Sequence, residues 1–335
     1  MSLGKLNTIA LLAVLLLAAV SCKDDEKESL PSLSGLYFEC PMFAAPGKAV
    51  TLTPKEVEHP EGGEVGYYWR VTPTMKRNDT TKVYVHWFSD TLKTYTVSCY
   101  AFAEGYNGTS YSRNVEVVAS GLDGSLTQTG IKASDKKVTV DGIDYYYEKI
   151  GSLEWFRNNL ANVQSGAPYV NEELVSDIFG RYYSYNEAMT ACPEGWRLPS
   201  EEDWMSLAEA MESPASEKYV SFQNVAAKLM VNAYFNELAM LEYWPVVGEV
   251  NNESRLAFLP FGYANLGLKN DAGKYPTAKF EGMKEYFTVW TSDMVEGEEG
   301  MAYYRYIIAD RPEMLIGKGD VNTFGASVRC VRDAE

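Results

Sequence analysis

Cys192-Pro-Glu-Gly-Trp-Arg-Leu-Pro-Ser-Glu-Glu-Asp-Trp204 carries the densest local instructions in this chain of 335 residues. Just upstream, Tyr185, Ala188, Met189 and Cys192 fall at helical spacing, which predicts a helix over residues 185–192. Pro193-Glu-Gly195 forces a turn, and Trp196, Arg197 and Leu198 run extended into Pro199. Ser200 with Asp203 three residues later is a capping-box pattern. A second helix therefore begins there, with Trp204, Leu207, Ala208 and Met211 on one face. Trp204 is expected to fold back onto Trp196 and Leu198 as the aromatic centre of a core. Arg197 is expected to pair with a buried carboxylate, with Glu201 and Glu202 as the candidates.

Outward from this stretch, Asp141-Gly142 between β-rich segments signals a hairpin. Val225-Ala-Ala-Lys-Leu-Met230 reads as a weaker third helix, and strands are expected over residues 301–308 and 326–331. Residues 34–119 read differently, as short strands separated by turn residues. They are Ala49-Val-Thr-Leu-Thr53, Tyr67-Tyr-Trp-Arg-Val71, Val83-Tyr-Val-His-Trp87, Tyr95-Thr-Val-Ser-Cys-Tyr-Ala101 and Ser112-Arg-Asn-Val-Glu-Val-Val118. Such a series predicts an antiparallel β-sandwich. Trp69 on a central strand with Cys99 on a later one resembles the immunoglobulin-like layout, closer to PKD-like and bacterial Ig-like spacer modules than to antibody domains. Residues 120–137, rich in Gly, Ser, Thr and Asp, form the linker to the region 138–335.

The quoted stretch, with Trp155…Asn159-Leu160, Phe258-Leu-Pro-Phe-Gly262, Val289-Trp-Thr-Ser292 and Ser327-Val-Arg-Cys330, resembles the Fibrobacter succinogenes major paralogous domain over roughly residues 138–333. That family looks like a relative of the C-type-lectin-like fold, which includes the formylglycine-generating enzymes. The resemblance implies an α+β domain, with two helices flanking small twisted sheets and with its terminal strands paired. The expected fold class is thus multidomain: an all-β immunoglobulin-like sandwich followed by an α+β C-type-lectin-like domain.

Composition narrows the function. The formal net charge of −16 argues against nucleic acid as a partner, which demands a Lys/Arg excess. The histidines, His59 and His86, both precede residue 138, so a Ser/His/Asp set cannot be assembled in the C-terminal domain. The formylglycine-generating relatives hold copper with a cysteine pair, whereas this domain has only Cys192 and Cys330, at positions that match a structural disulfide. A non-enzymatic role is expected.

Cys22 set aside, Cys40, Cys99, Cys192 and Cys330 are an even number and imply disulfides, with three possible pairings. With a domain split near residue 125, only Cys40–Cys99 and Cys192–Cys330 keep both bridges within domains. Calcium-dependent sugar binding in the lectin-like fold uses a Glu-Pro-Asn-type loop and a Trp-Asn-Asp; this chain has Trp290-Thr-Ser-Asp293 and no Glu-Pro-Asn. Asp293, Glu296, Glu298 and Glu299 remain a candidate calcium cluster, against the alternative of a solvated acidic loop. Tyr243, Trp244 and Tyr263 are the candidate aromatic sugar platform, against the alternative of core packing. No other cofactor is expected.

At the other end, Lys5 precedes an apolar run over residues 9–20, too short for a membrane span of about 20 residues. The ending Ala-Val-Ser-Cys22 resembles the lipobox of bacterial lipoproteins, cleaved before a cysteine that is then lipidated; a plain secretory signal is the alternative. Residues 1–21 are read as the signal peptide and residues 22–33 as an acidic flexible tether. Lys23-Asp-Asp-Glu-Lys-Glu28 looks like the surface-export signal of Bacteroides-group lipoproteins. The expectation is a protein anchored to the outer membrane by its lipid and exposed at the cell surface. It would present a lectin-like domain for adhesion or for glycan or protein binding. The alternatives are an accessory subunit of a surface assembly, such as a fimbrial tip or uptake complex, or an enzyme of unrecognised type.

Overall fold

The computed structural model describes residues 29–55, 57–73, 79–88, 93–118, 136–231 and 250–335, and it is β-rich with several sheets. The expected leader, Cys22, most of the linker, and the aromatic pair Tyr243 and Trp244 lie outside the described residues. The last residues of the expected tether are tied down: Leu33 is buried and its N–H donates to the Asn107 carbonyl at 2.9 Å.

The first region holds β1 (Tyr37–Phe38), β2 (Phe43–Ala44), β3 (Ala49–Leu52), β4 (Pro54–Lys55), β5 (Gly66–Thr72), β6 (Tyr84–Trp87), β7 (Thr94–Phe102) and β8 (Thr109–Val117). Sheet order is β2-β8-β7-β5, with β1-β4 and β3-β6 as two-stranded ribbons. Period-two patterning explains the main sheet: Tyr95, Val97, Cys99 and Ala101 of β7 are wholly buried, and the alternate residues are not. The end of β8 breaks the alternation, with Val115, Glu116 and Val117 all buried. There the second region covers its outer face.

That second region contains β9 (Lys137–Val140), β10 (Ile143–Ile150), β11 (Leu153–Phe156), α1 (Ser176–Phe179), α2 (Tyr185–Ala191), α3 (Glu201–Ala210) and α4 (Ala226–Leu229). It continues with β12 (Tyr263–Asn265), β13 (Lys279–Glu281), β14 (Tyr286–Met294), β15 (Met301–Ile308), β16 (Met314–Asp320), β17 (Phe324–Gly325) and β18 (Val331–Asp333). The sheets run β18-β11-β10-β9, β13-β12-β17 and β14-β15-β16. The predicted hairpin joins β9 to β10, with Asp141 and Gly142 both at positive φ, as a two-residue turn of this hand requires. Terminal strands pair as expected, β11 against β18. Both predicted helices carry full capping boxes, Ser184 with Glu187 on α2 and Ser200 with Asp203 on α3.

β11 partitions the core because all four of its residues are buried, two on each face. Trp155 faces one way and meets Trp204 at 4.8 Å between ring centroids, while Phe156 faces the other and meets Trp196 at 4.3 Å. The expectation that Trp204 folds onto Trp196 is therefore corrected: the two rings lie in separate clusters, Trp196 with Leu198 and Trp204 with Leu207. A single strand over residues 326–331 is also not formed. Its backbone serves several partners in turn, with Ser327 N–H donating to Thr288, Val328 accepting from Leu160 and Cys330 accepting from Phe156.

Cys192 and Cys330 form the expected disulfide, S–S 2.07 Å, across a separation of 138 residues, a loop whose closure contributes about 4–5 kcal/mol in the chain-entropy model. The Cys40–Cys99 bridge is not formed; both are free thiols. Trp69, Cys99 and Tyr111 stand side by side across β5, β7 and β8. The Phe38 ring packs on both outer members, at 5.0 and 5.3 Å, and so covers the row where Cys99 lies. Cys40 falls two residues further on, outside that row.

The two regions share one apolar cluster. Phe43 meets Phe179 at 5.3 Å, Met42 N–H donates to the Tyr169 hydroxyl at 3.1 Å, and Ala45 N–H donates to the Leu174 carbonyl at 3.1 Å. Lys284, on the turn before β14, forms an ion pair with the buried Glu116 of β8.

Burial pushes both the Cys40 and Cys99 thiols up to about 12, so neither is a ready thiolate at neutral pH. Thiol titration of the native chain is expected to label Cys40 and Cys99 slowly, and both at once after denaturation. A chain with neither thiol labelled after denaturation would contradict the structure.

Candidate functional site

Tyr263 sits on β12, half-buried, its hydroxyl donating to Glu281 at 3.1 Å. Its neighbours make a closed circuit of rings on the face of β14 and β15. Ring centroids run Tyr263–Tyr286 5.7 Å, Tyr286–Tyr306 6.4 Å, Tyr306–Tyr304 5.6 Å, Tyr304–Phe324 4.5 Å and Phe324–Tyr263 5.9 Å. All five side chains keep part of their surface in solvent.

Strand register explains the circuit. Tyr304 and Tyr306 are two apart on β15 and share a face; Tyr304 lies opposite Gly317 and Trp290, and Tyr306 opposite Leu315 and Thr288. Gly317 makes room for the Tyr304 ring, which a Cβ there would strike. A Cβ at Gly319 would come within 2.6 Å of Phe324, and one at Gly282 within 2.7 Å of Tyr286. Burial and the neighbouring tyrosines push Tyr304 up to about 12; burial and Glu281 raise Tyr263. These hydroxyls stay protonated at neutral pH and can both donate and accept. The surface offers flat faces with polar rims. The period-two pair in Met-Ala-Tyr-Tyr-Arg-Tyr306 and the glycines of Ile316-Gly-Lys-Gly319 were its sequence signal, legible only once their register is known.

The candidate calcium residues are not brought together. Asp293 points to α3, where it accepts from the Glu201 N–H at 2.9 Å and the Tyr219 hydroxyl at 3.1 Å. Glu298 is ion-paired with Lys318, and Glu296 and Glu299 are exposed on the turn between β14 and β15. Among the described residues no three His, Cys, Asp or Glu side chains are placed to hold a metal.

The charged residues of the opening motif have structural partners. Arg197 is not buried, and it pairs with Asp203 rather than with Glu201 or Glu202. Asp203 is the better placed, as the third residue of α3, where it also accepts from the Ser200 N–H at 2.7 Å. Glu201 instead meets Arg305, both wholly buried, with Arg305 also donating to the Val220 carbonyl at 2.7 Å and lying 3.7 Å from the Phe222 ring centre. Arg329, likewise buried, donates to Asn159 Oδ1 at 2.6 Å and to the carbonyls of Phe156, Leu256 and Ala257.

Residues 149–332, more than half of the chain, match the Fibrobacter succinogenes major domain family model. The chain belongs to this family. In this Fibrobacter succinogenes major domain the matched stretch runs from the end of β10 into β18, so it holds both capped helices, the disulfide and the tyrosine circuit. No curated protein matches the chain.

Burial alone would raise the Asp203 carboxyl, but Arg197 and the Ser200 backbone outweigh it and hold it below the usual range. A depressed folded value means stability that is present above the unfolded pKa and lost as pH falls through the folded one. Asp203→Asn should therefore cost about 1–2 kcal/mol at pH 7, with the gap to wild type closing in acid. Urea titrations from pH 7 to 2 would check this, and a gap independent of pH would contradict it.

Proposed function

We propose that the chain is a non-catalytic, lipid-anchored protein of the outer-membrane surface. In this reading, Cys22 carries the lipid and residues 34–119 are an immunoglobulin-like support. The Fibrobacter succinogenes major domain is a C-type-lectin-like head that binds an extracellular glycan or protein. The observation that carries the reading is the solvent-facing circuit of Tyr263, Tyr286, Tyr304, Tyr306 and Phe324, with three glycines spent on accommodating its rings.

A soluble monomer gains nothing from leaving such rings half in water, and aromatic residues are the commonest anchors of binding surfaces. A pyranose presents an apolar C–H face that lies against the electron-rich face of an aromatic ring, and its hydroxyls meet donors and acceptors such as the tyrosine hydroxyls and Glu281. The acidic balance of the chain favours neutral or basic ligands over anionic ones. Rigid rings on paired strands lose little conformational entropy on binding.

Glycan-array binding by the full chain should reveal at least one ligand, with Tyr306→Ala weakening it about tenfold or more, the scale of one lost aromatic anchor. Array silence together with co-purification of a protein partner would favour the accessory-subunit reading. Undiminished glycan binding by Tyr306→Ala combined with Tyr304→Ala would remove the circuit from the site.

A further inference from the structure

The ladder of β8 has a gap on one side. The chain's N-terminal segment runs alongside β8 in the same direction and pairs with it twice, at Ser32 with Asn107 and at Phe43–Ala44 with Glu116–Val117. Between those points it leaves, because Tyr37 and Phe38 pair instead with Lys55 and Pro54 of β4. The gap opens into a cleft of about 870 Å³, walled by residues 37–42 and, from the second region, by Tyr169, Val170 and Phe280.

Strand alternation decides which main-chain groups face this gap. Glu116 N–H donates to the Met42 carbonyl at 2.8 Å and Val118 N–H to the Ala44 carbonyl at 2.9 Å, both toward β2. Val117 N–H donates to the Lys93 carbonyl at 3.1 Å, on the β7 side. Asn114, Ser112 and Ser110, counted back in steps of two along an unbroken β7–β8 register, therefore turn their N–H and C=O groups into the gap. Among the described residues no hydrogen bond reaches those main-chain groups. Ser112, Arg113 and Asn114 are exposed and border the cleft. No proline or bulge interrupts residues 109–114, and an uninterrupted open edge is a template for another strand.

Donors and acceptors that repeat every second residue match the backbone of an extended peptide, and a sugar has no such period. The open stretch from Ser110 to Asn114 spans about 13 Å, the reach of a short strand. Tyr37, Tyr111 and Phe280 offer apolar faces on the lining. Of the charged groups there, Glu39 is paired with Lys55 and Glu116 with Lys284. Glu172 is exposed and, among the described residues, unpaired; Arg113 lies over the Tyr111 ring at 4.9 Å but has no carboxylate partner among them. One free charge of each sign favours a segment without strong net charge. We propose that β8 accepts an added strand here, an extended, near-neutral segment of another protein with apolar residues at alternate positions. Its backbone pairs with Ser110, Ser112 and Asn114, and its apolar side chains lie on Tyr37 and Tyr111. This site is separate from the tyrosine circuit and does not depend on it.

Calorimetric titration of the full chain with three capped hexapeptides, in which serine alternates with valine, leucine or tyrosine, tests the assignment. At least one should bind, and the same sequence methylated at every backbone nitrogen should not. Ser112→Pro removes an N–H that faces the gap and leaves the β7 ladder its donors, so it should bind about tenfold or more weakly than Ser112→Ala, which keeps that N–H. If Ser112→Pro unfolds, as thermal melting would show, hydrogen exchange in the wild-type chain decides. The Ser112 and Asn114 amides should then exchange about tenfold or more slowly with saturating peptide than without it. The proposal is overturned if no hexapeptide binds at about 1 mM, if the methylated form binds equally, or if Ser112→Pro and Ser112→Ala bind alike. It is equally overturned if those amides are protected without peptide. Protection at every protein concentration would mean that another segment of this chain fills the gap, and protection that rises with concentration that a second copy does.

Discussion

The guanidinium of Arg329 is buried completely, and burial drives its pKa well below the usual arginine range, with nearby Arg157 acting in the same direction. Its hydrogen bonds go to Asn159 Oδ1 and to backbone carbonyls from two distant segments, Phe156 and residues 256–257. The rings of Phe258 and Phe287 flank it at 4.7 and 5.7 Å. A buried cation held this way is stable only if every one of those partners is in place. That requirement joins pieces far apart in the chain: Trp155 to Leu160, the Phe258 to Gly262 segment, the start of β14, and Ser327 to Cys330. The disulfide from Cys192 to the next residue, Cys330, adds the helix α2 to the same knot. Segments that are scattered in sequence thus form one cage around Arg329.

Around this knot, β11 separates two aromatic clusters, and the Glu201–Arg305 pair fastens α3 to β15. The tyrosine circuit lies on one face of β15, because Tyr304 and Tyr306 alternate with Arg305. Arg305 turns inward to Glu201, which obliges its neighbours to turn outward. A buried structural pair and a half-exposed aromatic surface are therefore two consequences of one strand register. At the junction, Glu116 and Lys284 fasten the two regions by an ion pair.

Much of the local structure was legible in the sequence. Ser200 and Asp203 announced their helix, Asp141-Gly142 its hairpin, and the alternation in Tyr95 to Ala101 its strand, since each depends on neighbours in sequence. What could not be read were choices among equivalent partners. Arg197 had three carboxylates within the six residues that follow it, and helix geometry at the cap favoured Asp203. Trp204 had two aromatic clusters within reach, and β11, which divides them, shows no period because both of its faces are buried. Cys99 had Cys40 as a nominal partner, but Phe38 covers its row. The acidic residues near Asp293 looked like a cation site because spacing does not show that one of them caps α3. The tyrosine circuit draws on β12, β14, β15 and β17, and only the folded sheet brings them together.

The cage claim is tested most directly by replacing Arg329 with leucine, which removes the donors and keeps an apolar side chain. Urea unfolding of the variant, followed by tryptophan fluorescence with the disulfide intact, measures the loss. Leaving Asn159 and three carbonyls without their donor should cost at least about 3 kcal/mol. A leucine variant within about 1 kcal/mol of wild type would show that the fold does not depend on this guanidinium.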